Sequence, residues 1–286
     1  MSAAFAEMPL ALFTTLASIG AGAFITLACA IFTAKLSDEQ LARIDKMAVI
    51  PAIVVIVGFI AAFFHLANAG AAFGVFGGIG RSPMSNEILG GVLFAVVMIV
   101  YVVMGLAGKV SAGARKGFAV VLAVLAVVFA ALMGLAYGIG TVPSWSTPWP
   151  TVQVLGYALL GGAALGVCVL AVAGALGDAL QGGFKGALLA IAAVGCVLAV
   201  AGLGMMASGM GALSNALVTG SALLADAMTC LIVAIACLVL AFVAVFLSTR
   251  SAGLAWPALA TLLAFAGVLA GRLVFYALQI SVGLYF

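Results

Sequence analysis

The chain has 286 residues, 67% hydrophobic and 6% charged, with a net charge of +3 and a mean hydropathy of +1.45. A soluble domain carries about 25% charged residues, so this composition excludes a soluble globular enzyme and leaves almost no room for a soluble domain on a membrane protein. A single histidine and five cysteines, none in a CxxC pair, exclude bis-histidine haem and carry no zinc or iron–sulfur signature.

Eight apolar runs follow one another, at about 9–33, 47–66, 86–107, 117–137, 152–174, 186–207, 222–247 and 254–278. Each is long enough to span a bilayer, which takes about 20 apolar residues. None shows the alternation of a barrel strand, and helices satisfy their own backbone groups in lipid. The predicted fold is therefore all-α: one transmembrane bundle over 1–286 with eight helices. No internal repeat stands out, and a division into four-helix halves, about 1–137 and 152–286, stays open. The first run lacks a basic leader and is too long for a signal sequence, so no cleavable signal peptide is expected. The cysteines Cys29, Cys168, Cys196, Cys230 and Cys237 all fall in apolar runs and read as small packing residues.

The connections alternate in charge. Lys35, Arg43 and Lys46 lie in the first, Lys109, Arg115 and Lys116 in the third, Lys185 in the fifth and Arg250 in the seventh. The other side has Arg81 as its only basic loop residue. The positive-inside rule puts both termini outside and the odd-numbered loops in the cytoplasm. Outer loop two is Gly-rich and ends Arg81-Ser82-Pro83, where Ser82 reads as an N-cap and Pro83 as the first helical residue. Outer loop four, TVPSWSTPWP at 141–150, is stiff and amphipathic. Its Trp145 and Trp149 read as interfacial anchors and as a docking surface for an extramembrane partner. Pairs of small residues, Gly20 and Gly22, Gly90 and Gly91, Gly161 and Gly162, Gly202 and Gly204, read as close helix contacts.

The remaining ionisable groups gather on the outer side: Glu7, His65, Arg81, Glu87, Asp226 and Arg272. No such group is expected at mid-depth or in the inner half of a helix. A proton pump or ion-coupled transporter needs ionisable groups at mid-depth. A site confined to the outer leaflet instead suits a lipid-soluble substrate that gives up protons outside. No dinucleotide fingerprint, P-loop or metal-ligand cluster is present, so electrons would pass from substrate to another subunit. Oxidising a quinol removes two protons, and a neutral imidazole with a carboxylate can hydrogen-bond both hydroxyls and accept them. His65 and Glu87 fit that task. Gly90 and Gly91, on the helical face of Glu87, would leave room for a ring. The plainer readings are a histidine capping helix-end carbonyls and a carboxylate favoured at a helix N-terminus or paired with Arg81. Asp226 reads chiefly as such a helix-start carboxylate, and Arg272 as an ion-pair partner.

The segments EMPLALFT at 7–14, GFIAAFFHLANAGAAF at 58–73, SPMSNEILGG at 82–91, TVPSW at 141–145 and AGRLVFYALQISVG at 270–283 give the chain a resemblance to a known family. In their order and spacing it resembles the membrane-anchor subunits of bacterial dimethyl sulfoxide reductases, the DmsC family. The resemblance implies an anchor in the inner membrane that oxidises menaquinol and binds no haem or metal itself. It implies an iron–sulfur subunit and a molybdopterin catalytic subunit held at the outer face, with dimethyl sulfoxide or a related S- or N-oxide as acceptor. Its other partner is the lipid bilayer, with no nucleic acid. The family's quinol-linked histidine and glutamate fall on His65 and Glu87. Arg81, Gly90, Gly91 and Arg272 are candidates for shaping the quinol site, and Trp145 and Trp149 for docking. The rival expectations are a small-molecule transporter, which needs polar groups through both leaflets, and a purely structural anchor with quinol bound elsewhere.

Overall fold

Lipid tails are as apolar as leucine, so membrane helices hold together by close packing rather than by escape from water. The computed structural model describes residues 1–65 and 69–282, with their side chains apart from those of residues 2, 3 and 69–73. Of the segments quoted above, 66–68 and 283 lie outside the described residues. The helices are α1 (Ser2–Ala6), α2 (Met8–Thr33), α3 (Asp38–Met47), α4 (Val49–Phe63), α5 (Pro83–Leu106), α6 (Ala112–Leu135), α7 (Trp149–Val172), α8 (Leu176–Ala179), α9 (Phe184–Gly209), α10 (Gly220–Ser248) and α11 (Ala255–Ala277). Eight spans are long and apolar enough to cross a membrane, with α3 and α4 running on as one. No strand occurs among the described residues, beyond an isolated bridge between Ser214 and Thr219.

The predicted runs coincide with these spans. The largest departure is the second, which begins at Asp38 rather than near 47. Its first turns are charged and fall below any hydropathy threshold, yet they are capped as a helix should be. Ser37 Oγ accepts from the Gln40 N–H at 3.2 Å, and the Ser37 N–H donates to Gln40 Oε1 at 3.0 Å. This capping box satisfies two of the helix's free donors. The Gly-rich connection after α4, expected as loop, carries a 3-10 helix at Ala69–Gly78.

α2 and α7 form the centre. α2 packs on α4, α6 and α7, and α7 on α2, α6, α9 and α11, while α10 and α11 pair beside them. Buried side chains form two clusters. One joins α2 to α4, α5 and α6 through Phe24, Val55, Phe94 and Phe129. The other joins α2 to α7, α9, α10 and α11 through Ile19, Leu160, Leu203, Leu238 and Phe275. The predicted small-residue contacts are present with one exception. A Cβ at Gly162 would overlap the Gly22 backbone, and one at Gly202 would fall 2.6 Å from Gln153 Cγ, but Gly204 faces open space.

A buried ion pair fastens the end of the bundle that carries most of the basic residues. Arg115 Nη2 lies 2.7 Å from Asp45 Oδ2, its Nε donates to both carboxylate oxygens at 3.0 Å, and Tyr101 OH donates to Oδ1 at 2.7 Å. Both charged side chains are buried. The expectation that Arg115 is a loop cation, and that the helices hold no ionisable group at this end, is thereby corrected. α3 and α6 begin earlier than their apolar runs, so Asp45 and Arg115 are helical and face each other.

Two outcomes follow from this packing. Gly162→Leu should lower the melting temperature of the detergent-solubilised protein by roughly 5 °C or more, because overpacking against backbone costs at least ~1–3 kcal/mol. Gly204→Leu should leave it unchanged in the same melt. Asp45→Asn should destabilise by about 3–5 kcal/mol, since it strands the Arg115 cation. The double variant with Arg115→Met should unfold later than Asp45→Asn alone in a denaturant titration.

Candidate functional site

α5 starts where its sequence says: Ser82 Oγ accepts from the Ser85 N–H at 3.4 Å and Pro83 opens the helix. Asn86 Oδ1 accepts from the Gly80 N–H at 2.7 Å, closing the incoming connection. Glu87 therefore sits one turn inside the helix and points into the bundle, 8% exposed. His65 follows the end of α4 in a turn held by its N–H to the Ala62 carbonyl at 3.0 Å. Its Nδ1 is 3.6 Å from a carboxylate oxygen of Glu7, the residue before α2.

These three side chains line one cavity of about 260 Å³. Phe13, Tyr137, Trp145 and Tyr276 form much of the rest of its wall. Met84 and Ile139, both exposed, also line it, so the cavity reaches the surface. Its volume is near the lower end of the ~300–1,000 Å³ usual for ligand pockets. The wall is largely aromatic and aliphatic, with two carboxylates, an imidazole and two phenols converging on it. That set can hydrogen-bond a flat hydroxylated ring and take protons from it.

Arg272 is behind this wall rather than in it. It is fully buried on α11. Nε donates to Thr14 Oγ1 at 2.8 Å and Nη2 to Tyr276 OH at 3.2 Å. The guanidinium lies over the rings of Phe275, Tyr137 and Tyr276 at 4.2, 4.9 and 5.1 Å. Burying a charge costs several kcal/mol (about 2 kcal/mol recovered per desolvated cation–π contact). The expected ion pair is absent: among the described residues no carboxylate lies within salt-bridge distance of Arg272.

The other candidates are placed as follows. Gly90 and Gly91 do not line the cavity. A Cβ at Gly90 would fall 2.6 Å from Leu132 Cδ1, and one at Gly91 would fall 2.9 Å from Phe129 Cε2. They let α6 approach α5, and the space expected for a ring is filled by those side chains. Arg81 is exposed, donates to the Gly77 carbonyl at 3.1 Å and makes no pair with Glu87. Trp145 is no exposed docking residue: it is 7% exposed, stacks on Phe275 at 4.8 Å and donates to the Phe275 carbonyl at 3.1 Å. Trp149 is half-buried and lines a separate cleft with Pro143, Met205 and Met206. Asp226 pairs with the Met1 amino group. Sequence reasoning missed Tyr137 and Tyr276, because aromatic residues in so apolar a sequence bear no mark that separates a site wall from core. Among the described residues, no group of three His, Cys, Asp or Glu side chains could hold a metal.

Comparison with known proteins places this chain in a family. A model of the DMSO reductase anchor subunit (DmsC) matches residues 1–278. The chain is 32% identical over 182 residues to the C subunit of the anaerobic dimethyl sulfoxide reductase of Escherichia coli K12, covering 63% of each protein. It is 32% identical over 167 residues to the anaerobic dimethyl sulfoxide reductase subunit YnfH of the same organism, covering 58% of each. With the C subunit of the Haemophilus influenzae reductase it is 28% identical over 174 residues, 59% of this protein and 61% of that one. The matched stretches thus span about three fifths of these relatives. With the family match running through all eight spans, the chain belongs to the DMSO reductase anchor subunit family.

Proposed function

We propose that this chain is the inner-membrane anchor of a dimethyl sulfoxide reductase-type complex, and that it oxidises menaquinol in the cavity between Glu87 and His65. The observation that carries the reading is the convergence of Glu87 and the chain's only histidine on one aromatic-walled cavity that reaches the surface. A quinol head group diffusing in the bilayer enters past Met84 and Ile139 and leaves its isoprenoid tail in lipid. Glu87 and His65 accept the two hydroxyl protons. The electrons pass to an iron–sulfur subunit, then to a molybdopterin subunit that reduces dimethyl sulfoxide or a related S- or N-oxide. Those two subunits dock at the end of the bundle that carries the cavity.

Orientation follows from charge. Eight of the ten Lys and Arg residues lie at the opposite end, which the positive-inside rule assigns to the cytoplasm. Both termini and the cavity then face outward, and quinol protons leave on that side. Arg81, Gly90 and Gly91 form no part of the proposed quinol contact set.

In the purified complex, Glu87→Gln should cut quinol oxidation by about 10²–10⁴-fold, the usual worth of a proton acceptor, and His65→Ala should cut it similarly. The peripheral subunits should stay attached in both, as judged by co-purification. Full turnover in both variants would instead leave a purely structural anchor. For orientation, Ser146→Cys should react with a membrane-impermeant maleimide in intact spheroplasts and Ser251→Cys should not; the reverse pattern would invert the topology.

A further inference from the structure

Arg272 is a buried cation without a carboxylate partner among the described residues, and its Nη1 has no hydrogen-bond partner there either. Its Nη2 donates to the Tyr276 hydroxyl at 3.2 Å, and that hydroxyl is 2.5 Å from the Tyr137 hydroxyl. The hydrogen bonds can be counted. Two phenols bring two protons, and the bond between them uses one. If Tyr276 donates to Tyr137, the Tyr137 proton is uncommitted. If Tyr137 donates to Tyr276, the Tyr276 proton is. Either way one phenolic proton remains for a third oxygen, and both tyrosines line the cavity. Behind them stands a full positive charge in a low-dielectric wall, where it is little screened. Preorganised donors of this kind favour an oxygen that becomes negative over one that stays neutral.

We infer that Arg272, acting through the Tyr276–Tyr137 hydroxyl pair, makes this wall of the cavity a site for the anionic oxygen of a deprotonated quinol. The inference rests on the quinol reading above and deepens it. In the step concerned, one ring O–H bond breaks and its proton goes to the carboxylate or imidazole across the cavity. The phenolate oxygen left behind accepts the uncommitted tyrosine proton as a hydrogen bond. No electron moves in that step; the monoanion then gives two electrons, one at a time, to the one-electron acceptor outside this chain, and its second hydroxyl proton goes to the other of the two bases, leaving the quinone. Tyr137 and Tyr276 touch the substrate, and Arg272 is a positioning residue that orients Tyr276 and supplies the charge. The groups around Arg272 and the cavity are Glu7 and Thr14 from α2 and its approach, His65 after α4, Glu87 on α5, Tyr137 after α6 and Tyr157 on α7. On α10, which packs against α11, the titratable groups are Asp226, paired with the Met1 amine, and Cys230, whose thiol donates to the Ala270 carbonyl at 3.5 Å.

The test uses the intact complex and two readouts. Steady-state quinol oxidation is measured against pH. Binding of oxidised quinone is read by quenching of Trp145, with Trp145→Phe identifying its share of the signal. Tyr276→Phe should lower kcat by about 10²-fold, the usual worth of one such donor, and move the acidic limb of the rate profile to higher pH. The sign follows because a weaker anion site needs a higher pH to deprotonate the ring. Its affinity for oxidised quinone, which carries no charge, should be unchanged. Arg272→Gln should shift the limb the same way, and Arg272→Lys, which keeps the charge, should restore most of it. If Arg272→Gln does not assemble, Tyr276→Phe and Tyr137→Phe carry the test. An unmoved limb in both phenylalanine variants, with quenching intact, overturns the inference and leaves the quinol reading standing. Absence of Trp145 quenching in the unaltered complex removes both.

Discussion

Where α2 crosses α7, the backbone of Gly22 lies against that of Gly162, closer than any side chain would allow. Everything at the site inherits its position from that contact. Both packing clusters share α2 and α7; on α2, Phe13 and Phe24 face one and Ile19 and Leu27 the other. Its first turns carry Leu10, Phe13 and Thr14, with Glu7 just before them. The cavity therefore lies on the seam between the clusters. Phe13 comes from one side, Trp145 and Tyr276 from the other, and Glu87 reaches in from α5. A seam is where two separately packed bodies fit least perfectly, and ligand sites favour such places.

The two buried arginines show how lipid sorts buried charge. Arg115 has a carboxylate in bidentate contact and a phenol completing it. The charges cancel locally, and what remains is a joint between α3, α5 and α6. Arg272 has hydroxyls and ring faces but no anion among the described residues. No contacting anion cancels its field, which extends into the cavity that Glu87 also lines. Removing a partner harms the first arrangement because a charge is orphaned. The second is already in that condition, which is tolerable only because aromatic faces and two hydroxyls share the load.

Much of this was legible in the sequence, and the parts that were not share a cause. Eight apolar runs and the Ser82-Pro83 start of α5 are one-dimensional signals, written in composition and spacing, and the structure has them where they were read. His65 and Glu87 stood out because ionisable groups are rare in such a chain. Arg115 reads as a loop residue and Asp45 falls between the apolar runs, because hydropathy sees their charge and not their mutual neutralisation, which needs residues seventy positions apart to meet. Gly90 and Gly91 shared a helical face with Glu87, as expected, but which helix covers that face is a property of the packing. Trp145 looked like an interfacial anchor because its stacking partner, Phe275, comes from the far end of the chain. A pairwise contact between distant segments leaves no trace in either segment alone.

The end of the bundle that carries the cavity is also tied together in a way that follows from the dielectric. Its connections hold backbone groups close to lipid, where an unpaired N–H or C=O is costly. The chain after α11 pairs several of them across elements. The Ile280 N–H donates to Ser144 Oγ at 2.9 Å, the Val282 N–H to the Thr141 carbonyl at 2.9 Å, and Asn215 Nδ2 to the Ser281 carbonyl at 3.2 Å. One short tail thereby joins the connection before α7 to the one before α10. Trp145 stands on the first of these connections, Tyr276 at the end of α11 and Gln279 on the tail, and all three line the cavity. The bonds that satisfy the backbone near lipid are thus the same ones that hold the aromatic wall in place, so satisfying the membrane and preorganising the site are a single structural act.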